Sequence, residues 1–164
     1  IIMKKHNKKR PRGFVLALGV PGLIGIIIPI LIAVFVPSMI GYTKKSHAAS
    51  AQSTAAIMYR AANAAVEEMY CNDANTLDNC IISSDRDKNY NVGSNVDIDT
   101  FYEYLGYYSD SENVEYFFVF SDGYCTDAAV IGDNGYVGTY GSDFAYSTDK
   151  NFKELYEEAC DLVD

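Results

Sequence analysis

The chain has 164 residues, of which 49% are hydrophobic, with 13 Lys and Arg against 22 Asp and Glu and a formal charge of −9. That length holds one small domain besides any membrane segment. The acidic balance excludes a surface built to track nucleic-acid phosphates, which need Lys and Arg.

The charges are unevenly placed. Lys4, Lys5, Lys8, Lys9, Arg10 and Arg12 crowd the N-terminus, and every Asp and Glu lies at or beyond Glu67. From Phe14 onward there are seven basic and 22 acidic residues, a charge of −15. Between the two regions, residues 13–43 form a run of 31 without a charge. At ~1.5 Å per helical residue this run can cross a ~30 Å hydrocarbon core. The basic N-terminus is expected to stay in the cytoplasm and the acidic body to lie outside. Met3, which opens the basic stretch, is the expected initiator, with Ile1 and Ile2 upstream of it.

Within the run, Pro21, Pro29 and Pro37 each remove a helical hydrogen bond and predict kinks or melted turns. The pair Gly25 and Pro29 marks the weakest turn. Beyond Lys45 the Ala-rich stretch continues the helix to about residue 70, and Met58, Ala62, Ala65 and Met69 recur at helical spacing as a core stripe. Residues 71–95 are polar and predict a loop. Asp97 or Asp99 is placed to cap a short helix carrying Phe101, Tyr104 and Leu105. Residues 114–120 read as a strand, as do 128–131 and 136–140. The last two are joined by Gly132, Asp133, Asn134 and Gly135, a hairpin signal. Residues 153–162 predict a closing helix with Leu155, Tyr156 and Ala159 on one side. The expected fold is α+β: a long N-terminal helix, then a small antiparallel sheet leaning on its second half.

Cys71, Cys80, Cys125 and Cys160 all fall on the side expected to be outside, where disulfides persist. Four cysteines allow three pairings. The preferred one joins Cys71 to Cys80 across a short polar loop, and Cys125 to Cys160 to fasten the C-terminal segment to the sheet. A zinc site is disfavoured, because there is no Cys-x-x-Cys and both His lie upstream. Asp85, Asp87, Asn89 and Asn91 alternate as a calcium loop would, but Tyr90 stands where such loops carry Gly and Val96 where they carry Glu. A solvated acidic loop is the plainer reading, so no metal or cofactor is expected.

No catalytic residue is expected either. His6 lies in the leader and His47 on the anchor helix, out of reach of the outer domain as a general base, and no Gly-x-Ser-x-Gly or Walker-type loop occurs. Fourteen Tyr and eight Phe with no Trp raise the idea of a sugar platform from Tyr102, Tyr104, Tyr107, Tyr108, Tyr124, Tyr136 and Tyr140. In a small domain several of these are needed as core or sheet-face residues.

Taken together, Lys-Lys-His-Asn-Lys-Lys-Arg-Pro-Arg-Gly-Phe at residues 4–14, the apolar run, and Ala-Val-Phe-Val-Pro-Ser-Met-Ile-Gly-Tyr-Thr-Lys-Lys at residues 33–45 resemble the type IV pilin family. That family includes the pseudopilins of type II secretion and competence systems. The resemblance is specific to about residue 65 and architectural beyond it. It implies a leader 1–13, a transmembrane and filament-core helix 14–42, an amphipathic continuation 43–70, and an extracellular head 71–164. It further implies cleavage between Gly13 and Phe14 by a prepilin peptidase and N-methylation of Phe14. The subunit would sit in the membrane, meet an inner-membrane assembly platform, and pack with its own copies or related pilins into a surface filament for adhesion, motility, DNA uptake or secretion.

Two departures stand out. Leu18, fifth from Phe14, occupies the place where the family carries the Glu that pairs with a neighbour's N-terminal amine, and Pro37 falls two residues later than the family's proline. An ordinary signal peptide fits less well, since the apolar run is too long and the nearest Ala-Ser-Ala, ending at Ala51, lies beyond Lys44 and Lys45. The alternative of a different class is a single-pass adhesin that holds a polysaccharide with its Tyr-rich loops.

Overall fold

A computed structural model describes residues 13–72, 76–109, 114–132, 135–144 and 150–164, with side chains from residue 28 onward. The chain divides into two compact units, Ile1–Thr43 and Lys44–Asp164. One helix, α1 (Gly13–Cys71, 59 residues), contributes to both. The α-helix is unbroken at Pro21, Pro29 and Pro37, so the melted turns expected there do not form. Each ring still removes a donor, which leaves the carbonyls of Ala17, Gly25 and Ala33 without their usual helical partners.

In the second unit α1 is followed by β1 (Cys80–Ser83), a 3-10 turn at Arg86–Lys88, α2 (Ile98–Tyr108), β2 (Glu115–Ser121), β3 (Tyr124–Ile131), β4 (Val137–Gly141) and α3 (Phe152–Val163). The four strands form one antiparallel sheet in the order β1, β2, β3, β4. This is the expected α+β layout, with one strand more than the sequence suggests. The loop expected at 71–95 contains β1, whose four residues are all buried.

Helices cover both sheet faces. Alternate residues of β1 and β2 explain how, because successive side chains point to opposite sides. Cys80, Ile82, Tyr116, Phe118 and Phe120 face a layer with Met58, Ala62, Ala65 and Met69 of α1 and Phe101 and Leu105 of α2. Ile81, Phe117 and Val119 face a second layer with Phe144 and with Leu155, Ala159 and Val163 of α3. Burial on both sides is why 116–120 is an unbroken apolar run instead of an alternating one. The expected α1 stripe is core: Met58, Ala62, Ala65 and Met69 are at most 2% exposed.

The local signals act as their chemistry dictates. Asp97 caps α2 by accepting from the Thr100 N–H at 3.3 Å. Asn151 and Glu154 form a reciprocal capping box at the start of α3. Asp122 (φ 53°) and Gly123 (φ 82°) make the two-residue turn between β2 and β3, a left-handed pair that suits Asp-Gly. Tyr70 donates to the Gly123 carbonyl at 2.6 Å, tying this turn to the end of α1.

Two amide side chains on one face of α1 bond the backbone of the sheet directly. Gln52 accepts from the Thr139 N–H at 3.2 Å and donates to the Thr139 carbonyl. Asn63 accepts from the Cys125 N–H at 3.1 Å and donates to its carbonyl at 3.3 Å. Thr139 lies in β4, an edge strand, so Gln52 occupies groups that would otherwise be open. On the far edge, Tyr90 exchanges two backbone bonds with Ile81, at 2.9 and 3.0 Å, and the Asn89 carboxamide accepts from the Ser83 N–H at 2.8 Å.

Helix and sheet approach closely at Ala51 and Gly138. A Cβ on Gly138 would lie 2.0 Å from the Ala51 carbonyl oxygen, a backbone atom that cannot swing aside. Gly138→Ala is therefore expected to destabilise the head by about 3 kcal/mol or more. Gly106 in α2 has nothing within 4 Å of the same position, so Gly106→Ala is expected to stabilise by about 0.5–1 kcal/mol. Urea unfolding followed by circular dichroism measures both, and equal effects of the two changes would contradict the close contact.

Candidate functional site

The first feature with functional content is the described apolar part of α1. Ile28, Ile30, Leu31, Ile32, Val34, Phe35, Val36, Met39, Ile40 and Tyr42 are all between 47% and 77% exposed. Taking the exposed half of these ten side chains out of water is worth on the order of 10 kcal/mol, at roughly 1.5–3 kcal/mol per fully buried side chain. The polar side chains in this stretch are turned inward on the helix: Ser38 donates to the Phe35 carbonyl at 2.9 Å and Thr43 to the Met39 carbonyl at 2.8 Å. That removes their need for water. Among the described residues α1 is the one helix long and apolar enough to cross a membrane. Residues 1–12 of the expected leader 1–13, and the side chains of residues 14–27 with Phe14 and Leu18 among them, lie outside the described residues. The Gly13 and Phe14 backbone stands at the first turn of α1.

The cysteines depart from expectation: all four are free thiols. Cys125 belongs to the layer beneath α1 and Cys160 packs in the layer beneath α3, so the sheet itself separates the pair expected to bond. Cys71 is exposed at the end of α1 while Cys80 is buried in β1. Cys80 and Cys125 share a layer but flank Phe120 from opposite strands. Two strand spacings of ~4.8 Å put their Cα atoms beyond the ~4.4–6.8 Å that a disulfide spans. Burial raises the Cys80 thiol from its ordinary 9.0 to about 12, with Asp78 adding to it. Cys125 is raised too, by burial first and then by Asp127. Both behave as small apolar residues. The fastening expected of a Cys125–Cys160 bond is supplied by packing of Leu155, Ala159 and Val163 on Phe117 and Phe144.

The four residues of the suspected calcium loop are engaged in turn structure. Asp85 caps the 3-10 turn and pairs with Lys88 at 3.3 Å, and Asp87 lies within that turn. Asn89 is bonded to Ser83, and Asn91 (φ 54°) donates to the Asn79 carbonyl at 2.7 Å. Among the described residues no group of three His, Cys, Asp or Glu is placed to hold a metal ion.

The seven tyrosines proposed as a platform fall into three places. Tyr102, Tyr104, Tyr107 and Tyr108 belong to α2, where Tyr102 donates to the Ser83 carbonyl and lies under the Arg86 guanidinium at 4.5 Å. Tyr136 stacks on His47 with centroids 5.6 Å apart. Tyr124 and Tyr140 line a groove of about 450 Å³ together with Gln52, Tyr59, Thr126, Thr139 and Ser142. The groove runs between the two amide clamps, with Tyr59 and Tyr140 in tilted contact at 4.9 Å. Tyr59, Gln52 and Thr126 were not singled out from the sequence. The seven-residue step from Gln52 to Tyr59 on one helix face is the signal that was available.

Comparison with protein-family models, with curated proteins and with solved structures found no match.

Thiol titration of the folded chain in detergent tests the cysteine assignment. Cys71 is expected to react quickly at pH 8, the half-buried Cys160 slowly, and Cys80 and Cys125 only after denaturation, to a total of four. Fewer than four after denaturation without reductant would show disulfides. The raised thiols also fix a pH dependence. Below pH 9 they are protonated whether folded or not, and above it unfolding releases their protons. Stability should therefore fall as pH climbs from about 9 through 12.

Proposed function

We propose that this chain is a type IV pilin-like subunit, a structural protein that assembles through its N-terminal helix. One observation carries the reading: an uncharged helical segment with its large apolar side chains exposed continues without a break into the helix on which an α+β head is built. Such a segment is not stable in water alone and gains from lipid or from other apolar helices. The basic leader and Gly13-Phe14 add the processing site that the resemblance implies.

In this reading the subunit first spans the membrane once, with the leader in the cytoplasm and the acidic head outside. A prepilin peptidase cuts after Gly13. At the assembly platform the apolar helices then exchange lipid for neighbouring copies, and the carbonyls freed by Pro21, Pro29 and Pro37 give the segment local freedom to settle into a shared core. The −15 charge of the mature chain keeps the outer surface soluble and disfavours contact with nucleic acid. The α1-to-sheet packing is how a small head can be held on such a helix.

Intact mass and N-terminal sequencing of protein from its native host test this directly. A chain beginning at Phe14 with one added methyl group, in sedimentable filaments, is the expected result. An uncleaved leader on a monomeric membrane protein would overturn it. Leu18→Glu restores the acid found in the family and is expected to raise the share of subunit in sheared filaments. An unchanged share would show that Leu18 does not limit assembly.

A further inference from the structure

We propose that the groove between α1 and the β3–β4 end of the sheet is a binding site for an uncharged saccharide. The groove belongs entirely to the head, and its volume of about 450 Å³ falls within the ~300–1,000 Å³ usual for small-ligand sites.

Its lining sets the chemistry. Tyr59, Tyr124 and Tyr140 supply aromatic surface, with Tyr124 58% and Tyr140 38% exposed. Thr126 and Ser142 supply hydroxyls that donate to the Val119 carbonyl at 3.4 Å and the Asp143 carboxylate at 3.3 Å and can still accept, and Gly141 leaves backbone accessible. No lining residue is charged. A pyranose suits this mixture, because its axial C–H bonds meet the negative face of an aromatic ring while its rim of hydroxyls exchanges hydrogen bonds.

Two buried polar groups lie behind the groove and take no part in it. Thr139 Oγ1 and Asp127 Oδ2 are buried side-chain atoms without a hydrogen-bond partner among the described residues. Thr139 pairs with Ala129, and Asp127 lies two residues before Ala129 in β3, so both side chains stand on the α3 face of the sheet and Thr139 meets the groove through its backbone. Asp127 lies directly under the floor, where a Cβ on Gly141 would come within 2.2 Å of its Oδ1. Its other oxygen accepts from no cation, while Oδ1 accepts the N–H groups of Asp143 and Phe144 at 2.8 and 3.0 Å. A carboxylate beneath the groove disfavours anionic sugars.

An extended peptide is the rival, and the clamps argue against it. A strand added here would need the backbone groups of Thr139 and Cys125, and those are already bonded to Gln52 and Asn63. The aromatic faces stay available, and with hydroxyls that can still accept they match a sugar.

The test uses the full chain in detergent micelles. It is applied to an array of neutral, sialylated and sulfated glycans, followed by calorimetry with the best neutral oligosaccharide and with spermidine as a cationic control. Retention of neutral glycans is expected, with little salt dependence and binding about tenfold weaker in Tyr124→Ala and in Tyr140→Ala. Tyr124 is exposed enough that its removal leaves the core intact, and an unchanged melting curve checks this. Absence of neutral glycans from the array would overturn the proposal. So would preference for sialylated or sulfated sugars, salt-sensitive binding of spermidine alone, or an affinity in both variants unchanged from that of the original chain. Because binding is read on dispersed subunits, the result stands apart from whether the chain forms filaments.

Discussion

The head depends on a seam where side chains nearly vanish. Ala51, Ala55, Ala61, Ala62 and Ala65 present at most 4% of their surface to solvent, and opposite Ala51 stands Gly138 with no side chain at all. Small residues bring a helix backbone against a sheet backbone, and that closeness is what lets two short amides, Gln52 and Asn63, reach strand N–H and C=O groups. An Ala-rich contact gains little from apolar area compared with one of Leu and Phe. The large side chains needed for burial are supplied from the sheet instead, by Phe118, Phe120 and Tyr116, and by Phe101 from α2.

What the sequence revealed followed from local rules. The α1 stripe, the Asp97 cap and the 114–120 strand each rest on a periodicity or a cap within a dozen residues, and each stands in the structure. What it concealed needed contacts between distant residues. Cys80–Ser83 is only four residues long inside an Asn- and Asp-rich stretch, and it becomes a strand because β2 is there to pair with it. The Asp122-Gly123 turn is also a local signal, an Asp-Gly pair between the runs that become β2 and β3. The disulfide expectation failed because spacing along the chain does not say which side of a sheet a cysteine faces. The groove was the least legible feature, since it joins residues 52 and 59 to 124–126 and 139–142, and neither segment alone resembles a site.

The same helix answers two demands on composition. Its described first part carries Ile, Leu, Val, Phe and Met outward, where they need an apolar surrounding. Its second part carries Ala inward and leaves Ser53, Ile57, Arg60, Glu67 and Glu68 exposed. The change of character comes at Lys44 and Lys45, the first charges after Arg12.

The guarded rims of the sheet bear on how this protein fails as well as how it works. Tyr90 and Asn89 cover one rim at Ile81 and Ser83, and Gln52 covers the other at Thr139, so among the described residues the row of open amides is interrupted on both sides. Whatever higher-order material the chain forms is then held by grease and not by backbone ladders. It should dissolve in mild detergent and stay dark to dyes that report cross-β ribbons.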